Sequence, residues 1–180
     1  LEPRGIAMMA YFTCAAPALD ALAIERLACT PPWDAKLIGF HPELYTPVAG
    51  VDERMSGFQR SWEAVIREWS LRWGTGLRGW WFDGAYAADR MYRHPDPPNF
   101  ASFAAAARAG NPRSLVAFNP GVKVPVVCHS EHEDYTAGEI ADAFPVTMDS
   151  RWGAPEADKP ASYWGKPVRR TVGGAQYHLL

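Results

Sequence analysis

Apolar positions along the chain fall into two patterns. Near-continuous runs occur at Gly5-Ile-Ala-Met-Met-Ala-Tyr-Phe12, Leu77-Arg-Gly-Trp-Trp-Phe82 and Ser114-Leu-Val-Ala-Phe118. Runs this short and this apolar predict strands covered on both faces, as in a parallel sheet. Between the first two runs, Phe58, Trp62, Val65, Ile66, Trp69 and Trp73 recur at three- and four-residue steps. That spacing predicts a helix over 57–73 with one apolar stripe, stopped by Gly74 and Gly76. Its three tryptophans are assigned to the core, whereas Gln59, Arg60, Glu63, Arg67, Glu68 and Arg72 fall elsewhere on the wheel.

Pro17 to Leu27 predicts a short helix closed by Pro31-Pro32, and Asn99 is placed to cap a helix over 100–109 that ends at Gly110-Asn111-Pro112. Residues 31–57 are rich in Pro and Gly and read as a long loop. Val124 to Cys128 reads as a short strand weakened by Pro125, and 143–180 is again Pro- and Gly-rich. Alternating strands and helices imply an α/β fold with right-handed parallel crossovers.

Three strand ends carry a polar residue: Thr13, Asp83 and Asn119, the last two immediately before Gly84 and Pro120. Polar side chains at the C-terminal ends of parallel strands are how a (β/α)8 barrel builds its active face. Such a barrel takes roughly 250 residues, whereas this chain has 180. The expectation is therefore one piece, residues 1–180, of a TIM-type barrel truncated at both ends, marginally stable and inactive by itself. No Gly-rich dinucleotide or phosphate loop follows any strand, so a nucleotide cofactor is not expected.

Charge narrows the partners. Lys and Arg total 18 against 20 Asp and Glu, a net charge of −2, which gives no basic excess for nucleic acid or an anionic membrane. No apolar run approaches the length of a membrane span. Cys14, Cys29 and Cys128 are too scattered for a disulfide framework or a metal knuckle. The 8 Trp, 7 Tyr and 8 Phe lean toward sugar recognition, although cores use aromatics equally well.

Asp83 is the first candidate for chemistry. A carboxylate at a strand end beside aromatics suits an oxocarbenium-forming sugar site; alternatively it caps its own turn. A second acid should come from another strand's loop, and 129–139 offers Glu131, Glu133, Asp134 and Glu139. His129 and His132 lie there too, but lack a third ligand at a recognised spacing, and no metal is expected.

Trp80-Trp-Phe-Asp-Gly84, following a helix that ends Trp69-Ser-Leu-Arg-Trp73-Gly74, resembles the α-L-fucosidases of glycoside hydrolase family 29. The resemblance implies that Asp83 is the catalytic nucleophile. Asp134-Tyr-Thr-Ala-Gly-Glu139 is similar to the segment whose Glu is the acid/base in some members, which implies that role for Glu139. Trp80, Trp81, Asn119 and Tyr135 are implied around the substrate, with no cofactor and no metal. The Arg that many members carry two residues after the strand-ending Asn is missing, as Asn119 is followed by Pro120 and Gly121. The implied reaction is a retaining double displacement on a terminal α-L-fucosyl or related sugar of an oligosaccharide or glycoconjugate, in a protein for which an extracellular or periplasmic location is plausible. A retaining glycosidase with another sugar preference and an inactive glycan-binding barrel are the alternatives.

Overall fold

The computed structural model describes residues 2–14, 20–29, 49–50, 52–85, 91–119, 128–137, 171–172 and 175–177. Its centre is a three-stranded parallel sheet, β1 (Met8–Thr13), β2 (Leu77–Asp83) and β3 (Leu115–Phe118), in that spatial order. Among the described residues three helices accompany it: α1 (Ala21–Leu27), α2 (Ser56–Trp73) and α3 (Phe100–Ala107). A short β4 (Tyr135–Thr136) runs beside β3, with Asp134 N donating to Val116 O at 2.9 Å. β4 also pairs in parallel with β6 (Ala175–Tyr177), which takes β5 (Thr171–Val172) antiparallel on its other side. The α/β class and the strand–helix alternation agree with the sequence pattern. The expected strand over 124–128 and the long loop over 31–57 fall largely outside the described residues.

Strand alternation sends successive side chains to opposite faces. Phe12, Trp80, Phe82, Val116 and Phe118 go to the helix side, where they meet Phe58, Ile66, Phe100 and Phe103 in the main core. The rings contact edge-on or offset, with Phe82 on Phe103 at 4.7 Å and Trp80 on Phe82 at 5.4 Å. Each such side chain contributes roughly 1.5–3 kcal/mol through burial, so this layer is the main source of stability.

The helix stripe holds with two amendments. Trp69, assigned to the core, is 40% exposed and lies against Trp73 at 4.9 Å. Gln59, placed off the stripe, is fully buried. Its amide Nε2 donates to the carbonyls of Arg54 and, at 2.6 Å, Met91, tying α2 to the chain after β2. Periodicity sorts residues by hydropathy and therefore misses a buried amide whose Nε2 donates to two backbone carbonyls. Met55 at the start of α2 provides no cap; Asp52 does so, accepting from Ser56 N at 2.8 Å and Ser56 Oγ at 2.5 Å. Those bonds, the hydroxyl's foremost, lower the Asp52 carboxyl pKa. α3 starts as expected at Asn99, whose Oδ1 accepts from Ser102 N while Ser102 Oγ accepts from Asn99 N.

Candidate active site at the strand ends

Register decides what surrounds Asp83. β1 aligns Tyr11 with Trp81 and Thr13 with Asp83; β3 aligns Ala117 with Trp81 and Phe118 with Phe82. Asp83 thus ends the central strand with Thr13 on one side and Asn119 on the other. Gly84, with φ +69°, turns the chain sharply after it. Backbone bonds close the rim: Cys14 N donates to Asp83 O at 2.6 Å, Asn119 N to Phe82 O at 2.7 Å, and Ala85 N to Asn119 O at 3.0 Å. The end of β1 is pinned from the helix side, where Trp62 Nε1 donates to Thr13 O and Tyr92 Oη to Cys14 O, at 2.8 and 2.7 Å.

The two oxygens of Asp83 are held differently. Oδ1 accepts from Gly84 N at 2.7 Å and Asn119 Nδ2 at 2.8 Å; Oδ2 accepts from the Tyr11 hydroxyl. The turn-capping alternative therefore accounts for one oxygen of the carboxylate and leaves the other facing a side chain 72 positions away. Tyr11 was not singled out from the sequence, because its place beside Asp83 depends on the pairing of β1 with β2.

The expected substrate residues separate. Trp80 has no exposed surface and belongs to the helix-side core, on the face opposite Asp83, whereas alternation puts Trp81 on Asp83's face. Trp81 shares Asp83's face but is only 7% exposed, packed with Ala117, Tyr135 and Ala137, its ring 6.3 Å from that of Tyr135. Tyr135 Oη donates to Trp80 O at 3.0 Å, and burial pushes its pKa up. Asn119 is completely buried, and its amide addresses Asp83. Glu139 lies outside the described residues, and with it the separation of the two carboxyls.

Within 129–137, two acids close the outer edge of β3. Asp134 Oδ2 accepts from Val116 N at 2.8 Å and from Arg108 at 2.5 Å; Glu133 Oε1 accepts from Phe118 N at 3.0 Å and its Oε2 from Ser130 N at 2.9 Å. Carboxylates here replace the carbonyls of a neighbouring strand. Glu133 is buried, and desolvation raises its pKa to about 7 despite those N–H bonds and the nearby Arg93. Nothing in the sequence distinguishes it from exposed Glu131. Among the described residues no three His, Cys, Asp or Glu side chains form a metal-ligating group, and no helix is long and apolar enough to cross a membrane.

The Glu133 shift has a measurable consequence. Its ordinary pKa is near 4.5 and its folded value about 7, so the folded state binds the extra proton. The stabilisation is complete below about pH 4.5 and is lost as pH rises through 7, about 3 kcal/mol in all. Glu133→Gln should flatten that part of the stability curve, measured by denaturant unfolding at pH 5 and pH 8. Glu63, also raised by burial, persists in both proteins, so their difference isolates Glu133. An unchanged slope in the variant would show that Glu133 does not titrate in this range.

No protein-family model matches the chain. Over 100 residues it is 25% identical to calpain-13 of Rattus norvegicus, covering 51% of this chain and 11% of that protein. Among solved structures it is similar to two endo-fucoidan hydrolases of glycoside hydrolase family 107. For MfFcnA4 the TM-score is 0.46 at 21% identity, covering 75% of this chain and 22% of that one. For P5AFcnA the TM-score is 0.36 at 20% identity, covering 65% and 26%. The chain thus spans about a tenth of the calpain and about a quarter of either hydrolase.

Proposed function

We propose that this chain is the nucleophile-bearing part of a retaining glycoside hydrolase with a (β/α)8-type barrel, acting on a terminal α-L-fucosyl or related sugar. The observation that carries the reading is the Asp83 carboxylate, fixed at a parallel strand end by Asn119, Gly84 and Tyr11. The family 29 resemblance of Trp80-Trp-Phe-Asp-Gly84 supports the same role. A carboxylate locked at one oxygen and presented at the other is preorganised for attack, because little orientation remains to be found in the transition state.

In this mechanism Asp83 attacks the anomeric carbon as the bond to the leaving oxygen breaks, and an acid from the segment after β3 protonates that oxygen. Glu139 is the residue proposed for the task. The same group then takes a proton from water, which displaces Asp83 and gives net retention. No cofactor or metal enters the scheme. Trp81 and Tyr135 form the apolar floor beside Asp83, and the substrate is an oligosaccharide or glycoconjugate.

The test is a panel of aryl glycosides on the full-length protein, with the anomer formed first read by proton NMR. Turnover of the α-L-fucoside giving the α-anomer first is the expected result. Turnover of another sugar would move the specificity, the β-anomer would overturn retention, and binding without turnover would favour the inactive glycan-binding barrel.

A further inference from the structure

We infer that Asp83–Gly84 is a latent modification site, where the chain closes on itself to a succinimide and reopens to isoaspartate, and that the rim of the sheet holds this reaction off. It is the only Asp-Gly or Asn-Gly dipeptide in the sequence. Every other Asp and Asn is followed by a residue with a Cβ, which crowds the backbone nitrogen. Glycine has none, so Gly84 N has open access to the carboxyl group before it. The inference is independent of the role proposed for Asp83 in turnover.

The chemistry is internal to the chain. Gly84 N bonds to Asp83 Cγ, and the bond from Cγ to one of its oxygens breaks. That oxygen departs as water, taking the Gly84 hydrogen and a proton from solvent. Solvent water then opens the ring. Attack at Cγ restores aspartate, whereas attack at the main-chain carbonyl carbon of Asp83 leaves the chain running through Cβ and Cγ, with a free carboxylate on Cα. The product has the mass of the parent, and the acid at the end of β2 has left its donors.

The reacting atoms already lie together. Gly84 N is 2.7 Å from Asp83 Oδ1, hence within about 4 Å of Cγ, one carbon–oxygen bond further on. Three features of the fold keep that contact unproductive. Gly84 N presents its hydrogen to Oδ1, whereas attack needs its electron pair aimed at Cγ. The carboxyl group is held from turning, because Asn119 Nδ2 donates to Oδ1 at 2.8 Å from a side chain with no exposed surface and the Tyr11 hydroxyl donates to Oδ2. Last, the main chain of Asp83 is fixed by pairing with Thr13 and by Cys14 N, which donates to its carbonyl at 2.6 Å. A five-membered ring brings Gly84 N and Cγ to the same side of the Asp83 Cα–C bond, which turns ψ out of the extended range of a strand. The lock therefore belongs to the sheet, and the reactivity to the dipeptide.

The test incubates the full-length protein at neutral pH, native in one arm and unfolded in concentrated urea in the other. Peptide mapping with electron-transfer fragmentation, which separates aspartate from isoaspartate, reads position 83 over time. The unfolded chain should accumulate isoaspartate there, and the native protein at least about tenfold more slowly, the scale of one hydrogen bond to a charged group that ring closure has to break. Asn119→Ala, incubated below its own melting temperature, should react several-fold faster than the native parent. Gly84→Ala is compared in urea only, where the φ of +69° no longer constrains it, and should suppress the reaction. Equal rates in the native and unfolded parent would overturn the lock, as would a folded Asn119→Ala no faster than the parent. An unfolded chain without isoaspartate at 83, or one indifferent to Gly84→Ala, would overturn the site itself.

Discussion

Asp83→Ala in the full-length protein is expected to reduce turnover of an aryl α-L-fucoside by about 10⁴-fold or more, the scale on which removal of a reacting group is felt. The chain folding around it should be little disturbed. The lost side chain leaves Asn119 Nδ2 and Gly84 N without the acceptor they share. Asp83 and Gly84 are only partly buried, so a water can enter the volume of the lost carboxylate and accept from both donors. Azide or formate should restore part of the rate, since a small anion fits where the carboxylate stood, and azide should be recovered as a glycosyl azide of inverted configuration. Near-parental turnover would refute the nucleophile assignment. Loss of turnover without rescue, together with a lowered melting temperature, would make Asp83 a structural turn cap.

The second large effect concerns stability. Gly110→Ala should destabilise the fold by about 3 kcal/mol, the upper end of what overpacking costs, lowering the melting temperature by about 10 °C. A Cβ at Gly110 would lie 1.9 Å from Ser70 O, 2.5 Å from Ser70 C and 3.0 Å from Leu71 Cα. All three are backbone atoms of α2, so no side chain can swing away and the two helices must part. The same contact is cemented by polar bonds: Gly110 N donates to Ser70 Oγ at 2.9 Å, and Ser70 Oγ to Ala107 O at 2.7 Å. Gly57→Ala is the matched control, a helical glycine whose added Cβ meets nothing within 4 Å. It should be neutral or stabilising by about 0.5–1 kcal/mol. A Gly110→Ala melting temperature equal to the parent's would show that α2 and α3 do not approach as described.

Gly110 also shows how sequence and structure divide the information. In the sequence it is a helix stop at the end of a helix over 100–109; α3 ends earlier, at Ala107 with Arg108 as its cap, and the intolerance of a methyl group at Gly110 comes from α2, forty residues earlier. Ser70 is likewise a polar residue on a helix until the α2–α3 contact gives it two backbone partners. The strands were legible because their apolar runs are nearly unbroken: β2 spans the expected Leu77–Asp83, while β1 and β3 are trimmed by a residue or more at their N-terminal ends. Helix α2 was legible because a three-and-four spacing sustained over four turns fits no strand.

At the site, Asp83 stood out by its place between an aromatic strand and Gly84, and that much is local. Its partners are not local. Asn119 and Tyr11 reach it from neighbouring strands, 36 and 72 positions away, and parallel pairing over such distances leaves no periodic trace in the chain. Choosing between Trp80 and Trp81 needed only the side of the sheet on which α2 and α3 pack. Alternation guarantees that the two differ, and tertiary packing settles which one is buried among the helices. Glu133 was one acid among several until the outer edge of β3 brought its carboxyl to the Phe118 N–H. What the sequence determined alone is the α/β alternation, the Asn99 cap of α3 and the acid at the end of β2, because each rests on near-neighbour sterics and hydrogen bonds. Strand register and helix approach decided the rest, since only they bring distant donors, acceptors and apolar faces within contact range.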